Sequence, residues 1–329
     1  MMKERLVKFW NENKFYLLGL VIVVFISNYR LPYYISAPGG IIDISDRIEY
    51  SQLEEYDGSL NMLYVTQYEA TIPLYLTAKV LSDWDLESIK ENQISNENHA
   101  EIDKRNKIML DNSINNDIYV AYNASNKKVE VKDKKLLVVG TLSDMELKIG
   151  DEILEINNKK IDDFEVIKEI ITESNIKDML EFKIKRNEEI KTFNLEVKEI
   201  EDSKGIGVVI MTNYEYEVEP KIELKFKRSE SGSSGCMMMA LSIYSAISGE
   251  DLLKGRNIAG TGTIDVDGNV GEIDGIKYKI MGAYKNNMDI VLVPSANYKE
   301  ALEVVKKKKY DMEVVEVKTF NDAIEYLSK

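Results

Sequence analysis

The chain has 329 residues, of which 44% are hydrophobic and 30% charged, and its formal net charge at pH 7 is −14. This length suits two domains plus an additional segment, and the composition is that of a globular protein rather than a disordered one. The acidic excess argues against a nucleic-acid partner, because general binding to phosphates requires a basic surface. The basic run Lys306–Lys309 fits a solvated helix face and does not change this expectation.

The chain contains one histidine and one cysteine. His99 lies in a polar run, residues 91–107, so a Ser-His-Asp triad and a multi-histidine zinc site are both nearly excluded. With Cys236 alone, no intramolecular disulfide can form. The pattern G-x-x-x-x-G-K-[ST] does not occur, which excludes a Walker-type ATP site within the sequence. We therefore expect chemistry that needs no metal, nucleotide or organic cofactor.

The first 35 residues are predicted to anchor the chain in a membrane. Residues 15–26 are apolar throughout apart from Gly19, and aromatic residues flank them on both sides at positions 9, 10, 16, 29, 33 and 34. Four basic residues at positions 3, 5, 8 and 14 precede the apolar core, which predicts a cytoplasmic segment 1–14 and a single span over 15–35. The alternative is a signal peptide cleaved near Ser36-Ala37; on either interpretation, residues 40–329 lie outside the cytoplasm in the cell envelope.

Residues 36–109 are predicted to connect the anchor to the later domains and to pack on them. Leu60–Thr66 has the pattern of a buried strand. Thr71 and Pro73 mark a helix start before Leu74–Leu81. Apolar residues then recur at helical spacing between Lys107 and Ala121.

Residues 110–200 resemble a PDZ domain. The string L-K-I-G-D-E-I-L-E-I-N-N-K-K-I is followed by a helix that Asp162 or Asp163 can cap, and then by two alternating strands. The resemblance implies a groove beside the helix of residues 163–174 that accepts an extended peptide by strand addition. The usual Gly-Leu-Gly-Phe carboxylate loop is not found, and a small α+β packing domain is the alternative.

Residues 201–329 alternate strand and helix patterns and predict an α/β domain. At its centre, a small-residue loop that contains Gly232, Ser233, Ser234 and Gly235 leads into an apolar helix. Backbone N–H groups at a helix start suit the oxyanion of acyl transfer, so Ser234 is a candidate nucleophile and its loop neighbours are candidate oxyanion donors. Taken alone, a serine at this position is more often a helix cap.

A serine nucleophile needs a base, and without a usable histidine the base must be a lysine. Such a lysine needs its pKa lowered from ~10.4 to about 7–8, which burial among apolar groups can achieve. Lys277 is flanked in sequence by Ile273, Ile276 and Tyr278 and is predicted to be the base. Lys279 is predicted to point elsewhere and stay solvated.

These motifs are similar to those of the Lon peptidase family, most of all its membrane-anchored, PDZ-containing, ATP-independent branch in Gram-positive bacteria. The strings G-S-S-G-C-M-M-M-A-L and I-A-G-T-G-T-I-D-V-D-G-N-V-G-E-I-D-G-I-K-Y-K carry the similarity, which is strong over residues 205–295. It implies a Ser234–Lys277 dyad, with Thr261 holding the lysine in place. It also implies peptide or protein substrates and frequent homo-oligomers.

The chain departs from the family pattern at four positions: Ser233 for proline, Gly235 for alanine, and Cys236 and Asp274 for glycines. A carboxylate at Asp274 would oppose a neutral lysine unless it faces solvent. The predicted fold class is α+β multidomain, and the predicted function is a membrane-anchored, ATP-independent serine endopeptidase of extracytoplasmic proteins. The alternative is a catalytically degenerate scaffold that binds peptides without cleaving them.

Overall fold

The computed structural model describes residues 2–44, 47–50, 56–89, 99–142, 145–200, 202–225 and 233–329, with only the backbone given for residues 2–7 and 99. Within these ranges the chain forms eight α-helices: α1 Met2–Asn28, α2 Ile72–Val80, α3 His99–Ala124, α4 Phe164–Glu173, α5 Cys236–Ser248, α6 Ile276–Lys285, α7 Ser295–Lys308 and α8 Phe320–Leu327.

The same ranges contain eighteen strands. The first nine are β1 Arg30–Asp43, β2 Ile48–Glu49, β3 Ser59–Thr71, β4 Asp85–Ser88, β5 Lys128–Thr141, β6 Glu152–Ile156, β7 Lys159–Lys160, β8 Met179–Arg186 and β9 Glu189–Glu196. The others are β10 Lys198–Ile200, β11 Ser203–Gly205, β12 Val208–Glu219, β13 Glu223–Leu224, β14 Asn257–Gly260, β15 Thr263–Ile264, β16 Val270–Gly271, β17 Ile290–Pro294 and β18 Glu313–Val317.

A mixed sheet in the order β18-β17-β14-β3-β1-β4 forms the centre of the C-terminal domain. The first four strands run parallel, and β1 and β4 pair antiparallel at one side. Successive residues of a strand point to opposite faces, so Ile258 joins a core with α5 and α8 while Ala259 joins a second core with α6 and α7. The sheet is therefore covered by helices on both faces, as the alternating sequence pattern predicted.

The segment between the anchor and the PDZ domain is built into this sheet. Its strands β1 and β3 pair with each other, and β3 also pairs with β14. Residues 30–43 and 59–71 thus supply core strands to the C-terminal domain, in addition to packing on it. The predicted buried strand at residues 60–66 lies inside β3.

The apolar helix at the N-terminus is shorter than predicted at its C-terminal end. Helix α1 ends at Asn28, so Tyr33 and Tyr34 belong to β1 and do not form an aromatic belt on the helix. Arg30 forms an ion pair with Glu69 of β3. Within the described residues, one stretch, Lys8–Asn28, is long and apolar enough to cross a membrane, and none of it is buried in the protein.

The PDZ domain is a separate sheet in the order β12-β5-β6-β8-β9, with α4 packed against it. Asp163 caps α4 as predicted, accepting a hydrogen bond from Glu165 N at 3.0 Å. Strand β12 was assigned from the sequence to the C-terminal domain, but it pairs along its length with β5. The predicted boundary between residues 200 and 201 is therefore wrong, because a PDZ strand lies beyond it.

Helix α3 connects the two domains. It packs against α5 of the proteolytic domain and against β12 and β5 of the PDZ sheet. Tyr119 on α3 stacks on Tyr216 of β12 with ring centroids 5.1 Å apart, and Asn115 donates to the side-chain oxygen of Asn213 at 3.3 Å. The helix extends from residue 99, and not from Lys107 as the sequence predicted.

Candidate functional site

The predicted nucleophile loop ends in a single 3₁₀ turn, Ser233–Gly235, which runs directly into α5. Ser234 is half-buried at the middle of this turn, with Ser233 and Gly235 beside it. A Cβ on Gly235 would lie 2.5 Å from the sulfur of Met62, so a glycine lets the turn approach β3 closely. Gly232, also predicted to belong to the site, lies outside the described residues.

Backbone hydrogen bonds tie the turn to the residues that follow β14. Gly262 N donates to the Ser234 carbonyl oxygen at 2.7 Å, and Met237 N donates to the Gly262 carbonyl oxygen at 3.1 Å. The start of α5 is thereby fixed against the end of a central strand. Ser234, the predicted nucleophile, therefore has a defined position relative to the sheet.

Thr261 joins the loop to a lysine. The side chain of Thr261 is fully buried, and its hydroxyl donates to the Ser234 carbonyl oxygen at 2.8 Å. The same hydroxyl oxygen accepts a hydrogen bond at 3.0 Å from the amine of Lys279, on α6. The sequence predicted that Thr261 would hold a lysine, and in the structure that lysine is Lys279.

Lys279 has the environment that a neutral lysine requires. Only 3% of the residue is exposed, and burial lowers the pKa of its amine from 10.5 to about 8. Ile276, Ile280 and Ala283 lie on the same side of α6 and are all buried. Among the described residues, the Thr261 hydroxyl is the hydrogen-bond acceptor that this amine contacts.

Lys277 is placed elsewhere, and its prediction as a buried base is wrong. Its amine forms an ion pair with Asp85 of β4 at 2.8 Å, lies 5.0 Å from the ring centroid of Tyr278, and remains partly exposed. Tyr278 also donates its hydroxyl to Asp85. Burial raises the pKa of Asp85, but the hydrogen bonds from Lys277 and Tyr278 outweigh it and the pKa is lowered. The amine of Lys277 thus bonds to Asp85, whereas the lysine that bonds to Thr261 is Lys279.

The error has an identifiable cause. Lys277 was chosen for its neighbours in sequence, but on a helix the neighbours in space are three and four residues away. Because α6 begins at Ile276, the apolar positions 276, 280 and 283 define its inner face, and residue 279 falls on that face while residue 277 does not. The helical spacing would have selected Lys279.

Asp274 opposes the low pKa of Lys279 without overcoming it. Its charge favours the ammonium form and so raises the pKa, yet burial of Lys279 is the larger effect and the pKa stays at about 8. Asp274 itself is exposed, just before the turn that starts α6. Water screens a charge in this position, as expected for an aspartate that faces solvent.

Cys236 is buried beneath the loop and is not in a reactive state. Burial raises the pKa of its thiol well above the ordinary value, and the nearby carboxyl of Asp117 raises it further. Asp117, on α3, is itself completely buried, and burial raises its pKa well above the usual range. The Cys236 thiol and the Asp117 carboxyl thus form a buried contact between α3 and α5.

The PDZ sheet presents one unpaired edge next to a helix. Strand β12 is the last strand on its side of the sheet, and it lies beside α4. Gly205-Ile206-Gly207-Val208 leads into this strand, with Gly207 at φ +73°, a left-handed conformation that favours glycine. The usual Gly-Leu-Gly-Phe loop is not found in the sequence, and this glycine-containing segment, which follows α4 in the chain, was not predicted as its counterpart.

Comparison with known proteins agrees with this two-domain architecture. Residues 228–328 match the Lon protease (S16) C-terminal proteolytic domain, and residues 129–197 match the PDZ domain. The chain thus carries a PDZ domain followed by a Lon-type proteolytic domain, which confirms the resemblance to these two kinds of domain. The proteolytic-domain match supports a serine peptidase.

Curated relatives match the same C-terminal region. The Lon protease of Mesomycoplasma hyopneumoniae is 34% identical over 100 residues, which are 30% of this chain and 11% of the relative. The Lon protease of Campylobacter jejuni is 39% identical over 71 residues, 21% of this chain and 9% of the relative. The chain therefore spans about a tenth of the length of the curated relatives it matches.

Among solved structures, the chain is similar to the PDZ domain of an SdrC-like protein from Listeria monocytogenes. The two are 17% identical, with a TM-score of 0.23, and the match covers 25% of this chain and 92% of the other. The PDZ domain of an SdrC-like protein from Listeria innocua is 18% identical, with a TM-score of 0.22, covering 23% and 92%.

Proposed function

We propose that the chain is a membrane-anchored, ATP-independent serine endopeptidase in which Ser234 is the nucleophile and Lys279 the general base. One observation carries the assignment. The buried amine of Lys279 bonds to the Thr261 hydroxyl, which in turn bonds to the Ser234 backbone. This brings a lysine with a lowered pKa to the loop of a serine at a helix start, the combination that histidine-free acyl transfer requires.

The proposed reaction has two acyl-transfer steps. The neutral amine of Lys279 takes the proton from the Ser234 hydroxyl as its oxygen attacks the substrate carbonyl carbon, and the resulting ammonium gives that proton to the leaving amine. Lys279 then takes a proton from water as the water oxygen attacks the acyl carbon, and it returns that proton to the Ser234 oxygen when the acyl–oxygen bond breaks and the acid is released. Backbone N–H groups of the turn containing Ser233 and Gly235 stabilise the oxyanion in both steps.

Membrane attachment is part of the proposal. Helix α1 leaves its apolar side chains exposed over the candidate span Lys8–Asn28, as a helix surrounded by lipid would. The basic residues at positions 3, 5, 8 and 14 favour a cytoplasmic N-terminus, so the PDZ and proteolytic domains are extracytoplasmic. A cleaved signal peptide would leave the same domains on the same side of the membrane.

The PDZ domain is proposed to recruit substrate. The free edge of β12 beside α4 offers main-chain groups to an extended peptide, and Gly205–Val208 at its start is the natural place for a peptide carboxylate. Helix α3 packs on β12 and on α5. A peptide held on β12 is thus joined to the proteolytic domain through one helix.

The proposal is tested with the full chain in detergent, without ATP, on casein and a mixed peptide library. Wild type should release peptides, Ser234→Ala and Lys279→Ala should abolish release, and Lys277→Ala should retain it. Lys277→Ala is the matched control because it removes a lysine two residues away on the same helix. Activity that survives both Ser234→Ala and Lys279→Ala would refute the dyad.

The alternative of a non-cleaving peptide scaffold rested on Asp274 and Cys236. Exposure of Asp274 and burial of Cys236 against Asp117 weaken both reasons. Peptide binding at the PDZ edge without any cleavage by wild type, over a wide pH range, would favour the scaffold.

A further inference from the structure

The nine-residue helix α2 has one face packed into the protein and one face uncovered. Its inner residues Leu74, Tyr75 and Ala78 form a small core with Ile35 and Ala70 of strands β1 and β3. Its outer face, which consists of Pro73, Leu76, Thr77 and Val80 with Leu81 just beyond, is exposed. Leu76 is 60% exposed, Val80 82% and Leu81 43%.

The outer face of α2 has almost no polar groups that need hydrogen bonds from water. Its one hydroxyl, on Thr77, donates to the Pro73 carbonyl oxygen at 2.9 Å, so its hydrogen bond is satisfied within the helix. The other side chains of this face carry no polar atoms. A helix that faced solvent would normally place charged residues here, and large apolar surfaces left exposed usually mark an interaction site.

The position of α2 identifies its partner. Register pairs Arg30, two residues after the end of α1, with Thr71, the residue before α2 begins. Helices α1 and α2 are in contact. The start of α2 therefore lies beside the C-terminal end of α1, whose apolar side chains are exposed there, Phe25 at 65%.

Because α2 lies beside the end of α1, we propose that the outer face of α2 is a second membrane contact, lying in the headgroup–acyl boundary of the bilayer that α1 is proposed to cross. A short amphipathic helix with an apolar outer face and a flanking lysine suits that boundary. The lysine is Lys79, which is exposed and lies with its amine 5.5 Å from the Tyr75 ring centroid. The inference rests on the proposed anchoring by α1 and adds the surface by which the domain meets lipid.

The contact is close to the proposed base. Three residues separate Leu81 from Asp85, so the two Cα atoms are at most about 14 Å apart. Asp85 binds Lys277 and Tyr278 of α6, the helix that carries Lys279. Lys308, at the end of α7, binds the neighbouring Asp83 at 2.7 Å. Ion pairs thus fasten the membrane-facing segment to two helices of the proteolytic domain.

Spin labels test the proposal on the full chain reconstituted in vesicles of phosphatidylcholine and phosphatidylglycerol. Labels are placed by Leu76→Cys and Val80→Cys, with Val21→Cys as the probe for the span and Ile190→Cys, 53% exposed in the PDZ hairpin, as the aqueous control. The native Cys236 is 4% exposed and does not compete for the label. The measurement is relaxation enhancement by oxygen, which concentrates in lipid, and by a water-soluble nickel chelate.

We expect the ratio of relaxation enhancement by oxygen to that by the nickel chelate to be several-fold higher at positions 76 and 80 than at position 190. At 76 and 80 this ratio should approach the value at position 21. A lipid-like ratio at 21 with ratios at 76 and 80 equal to that at 190 would overturn the inference and leave the anchor intact. An aqueous ratio at 21 would refute the anchor and, with it, the inference. Protection of 76 and 80 from both reagents would mean that a protein, including a second copy, covers the face, and would also overturn it.

Discussion

Replacing Lys279 by methionine removes the proposed base with little change in volume. The residue is 3% exposed, and methionine has a similar length and no amine. General-base catalysis contributes ~10²–10⁴-fold to rate, so we expect peptide cleavage to fall by at least about 100-fold. Lys277→Ala, which breaks the ion pair with Asp85, should keep most of the activity.

The burial of the Lys279 amine determines what fraction of the enzyme carries a neutral base at pH 7. Lowering its pKa from 10.5 to about 8 corresponds to roughly 3 kcal/mol against the charged form, at ~1.36 kcal/mol per pKa unit. At pH 7 about one Lys279 amine in eleven is then neutral, against roughly one in 3,000 for an ordinary lysine. Burial alone therefore raises the fraction of competent enzyme by about 300-fold.

The assay is the pH dependence of kcat/KM on a fluorogenic peptide chosen from the library. Activity should rise with pH through a midpoint near 8, because the neutral amine is the active form. The Lys277→Ala profile should have the same midpoint. Cleavage that survives Lys279→Met but is lost in Lys277→Ala would refute the assignment, as would a wild-type profile with no inflection near pH 8.

Four further predictions concern stability and positioning. Lys279→Met should raise the melting temperature at pH 7 and lose this advantage by pH 10–11. At pH 7 the wild-type folded state holds a buried ammonium, which destabilises it relative to the variant. Above the folded pKa of about 8 the buried amine is neutral while the unfolded lysine stays charged, so the advantage fades until the pH passes the unfolded pKa. Thr261→Val should lower kcat about 10–100-fold and shift the pH midpoint, since it removes two hydrogen bonds worth ~1 kcal/mol each, while Thr261→Ser should restore both. Asp117→Asn should stabilise the protein increasingly as pH rises above 4, because the raised pKa keeps the folded carboxyl neutral while the unfolded one ionises. Asp151→Ala should destabilise the PDZ domain by about 3–5 kcal/mol, because it leaves Arg186, bound at 2.6 and 2.7 Å, without its buried partner.

Each of these has an outcome that contradicts it. Equal melting temperatures for wild type and Lys279→Met at pH 7 would mean that the amine is not buried as a charge. Loss of activity in Thr261→Ser as large as in Thr261→Val would point to packing of the methyl group instead of the hydroxyl. For Asp117→Asn, the contradicting result is a difference in unfolding free energy from wild type that calorimetry finds to be the same at pH 4 and pH 8. For Asp151, a change under 1 kcal/mol in urea unfolding would place the pair with ordinary surface ion pairs.

Much of the fold was predictable because the signals are local. Thr71 and Pro73 marked the start of α2, Asp163 capped α4, and alternating apolar residues marked the PDZ strands. The membership of strands in sheets was not predictable in the same way, because pairing joins residues far apart in sequence. Strand β1, next to the anchor, completes a sheet with β14 more than 200 residues later through β3.

The site was predicted in part for the same reason. The loop of Ser234 and the role of Thr261 as a lysine's partner were visible as short motifs. The choice between Lys277 and Lys279 depends on where α6 begins, and helix boundaries are the least certain feature of a sequence. Asp85, the partner of Lys277, lies 192 residues away, so no local pattern could reveal it.

Only Tyr29 separates the end of α1 from the start of β1. If α1 crosses the membrane as proposed, the absence of a linker between this helix and strand β1 keeps the domain from swinging freely and holds it at a set height and orientation above the lipid. A substrate tethered in the same membrane reaches that domain at an effective concentration set by its own tether length. The distance of a scissile bond from the bilayer would then contribute to cleavage specificity, in addition to the residues on either side of that bond.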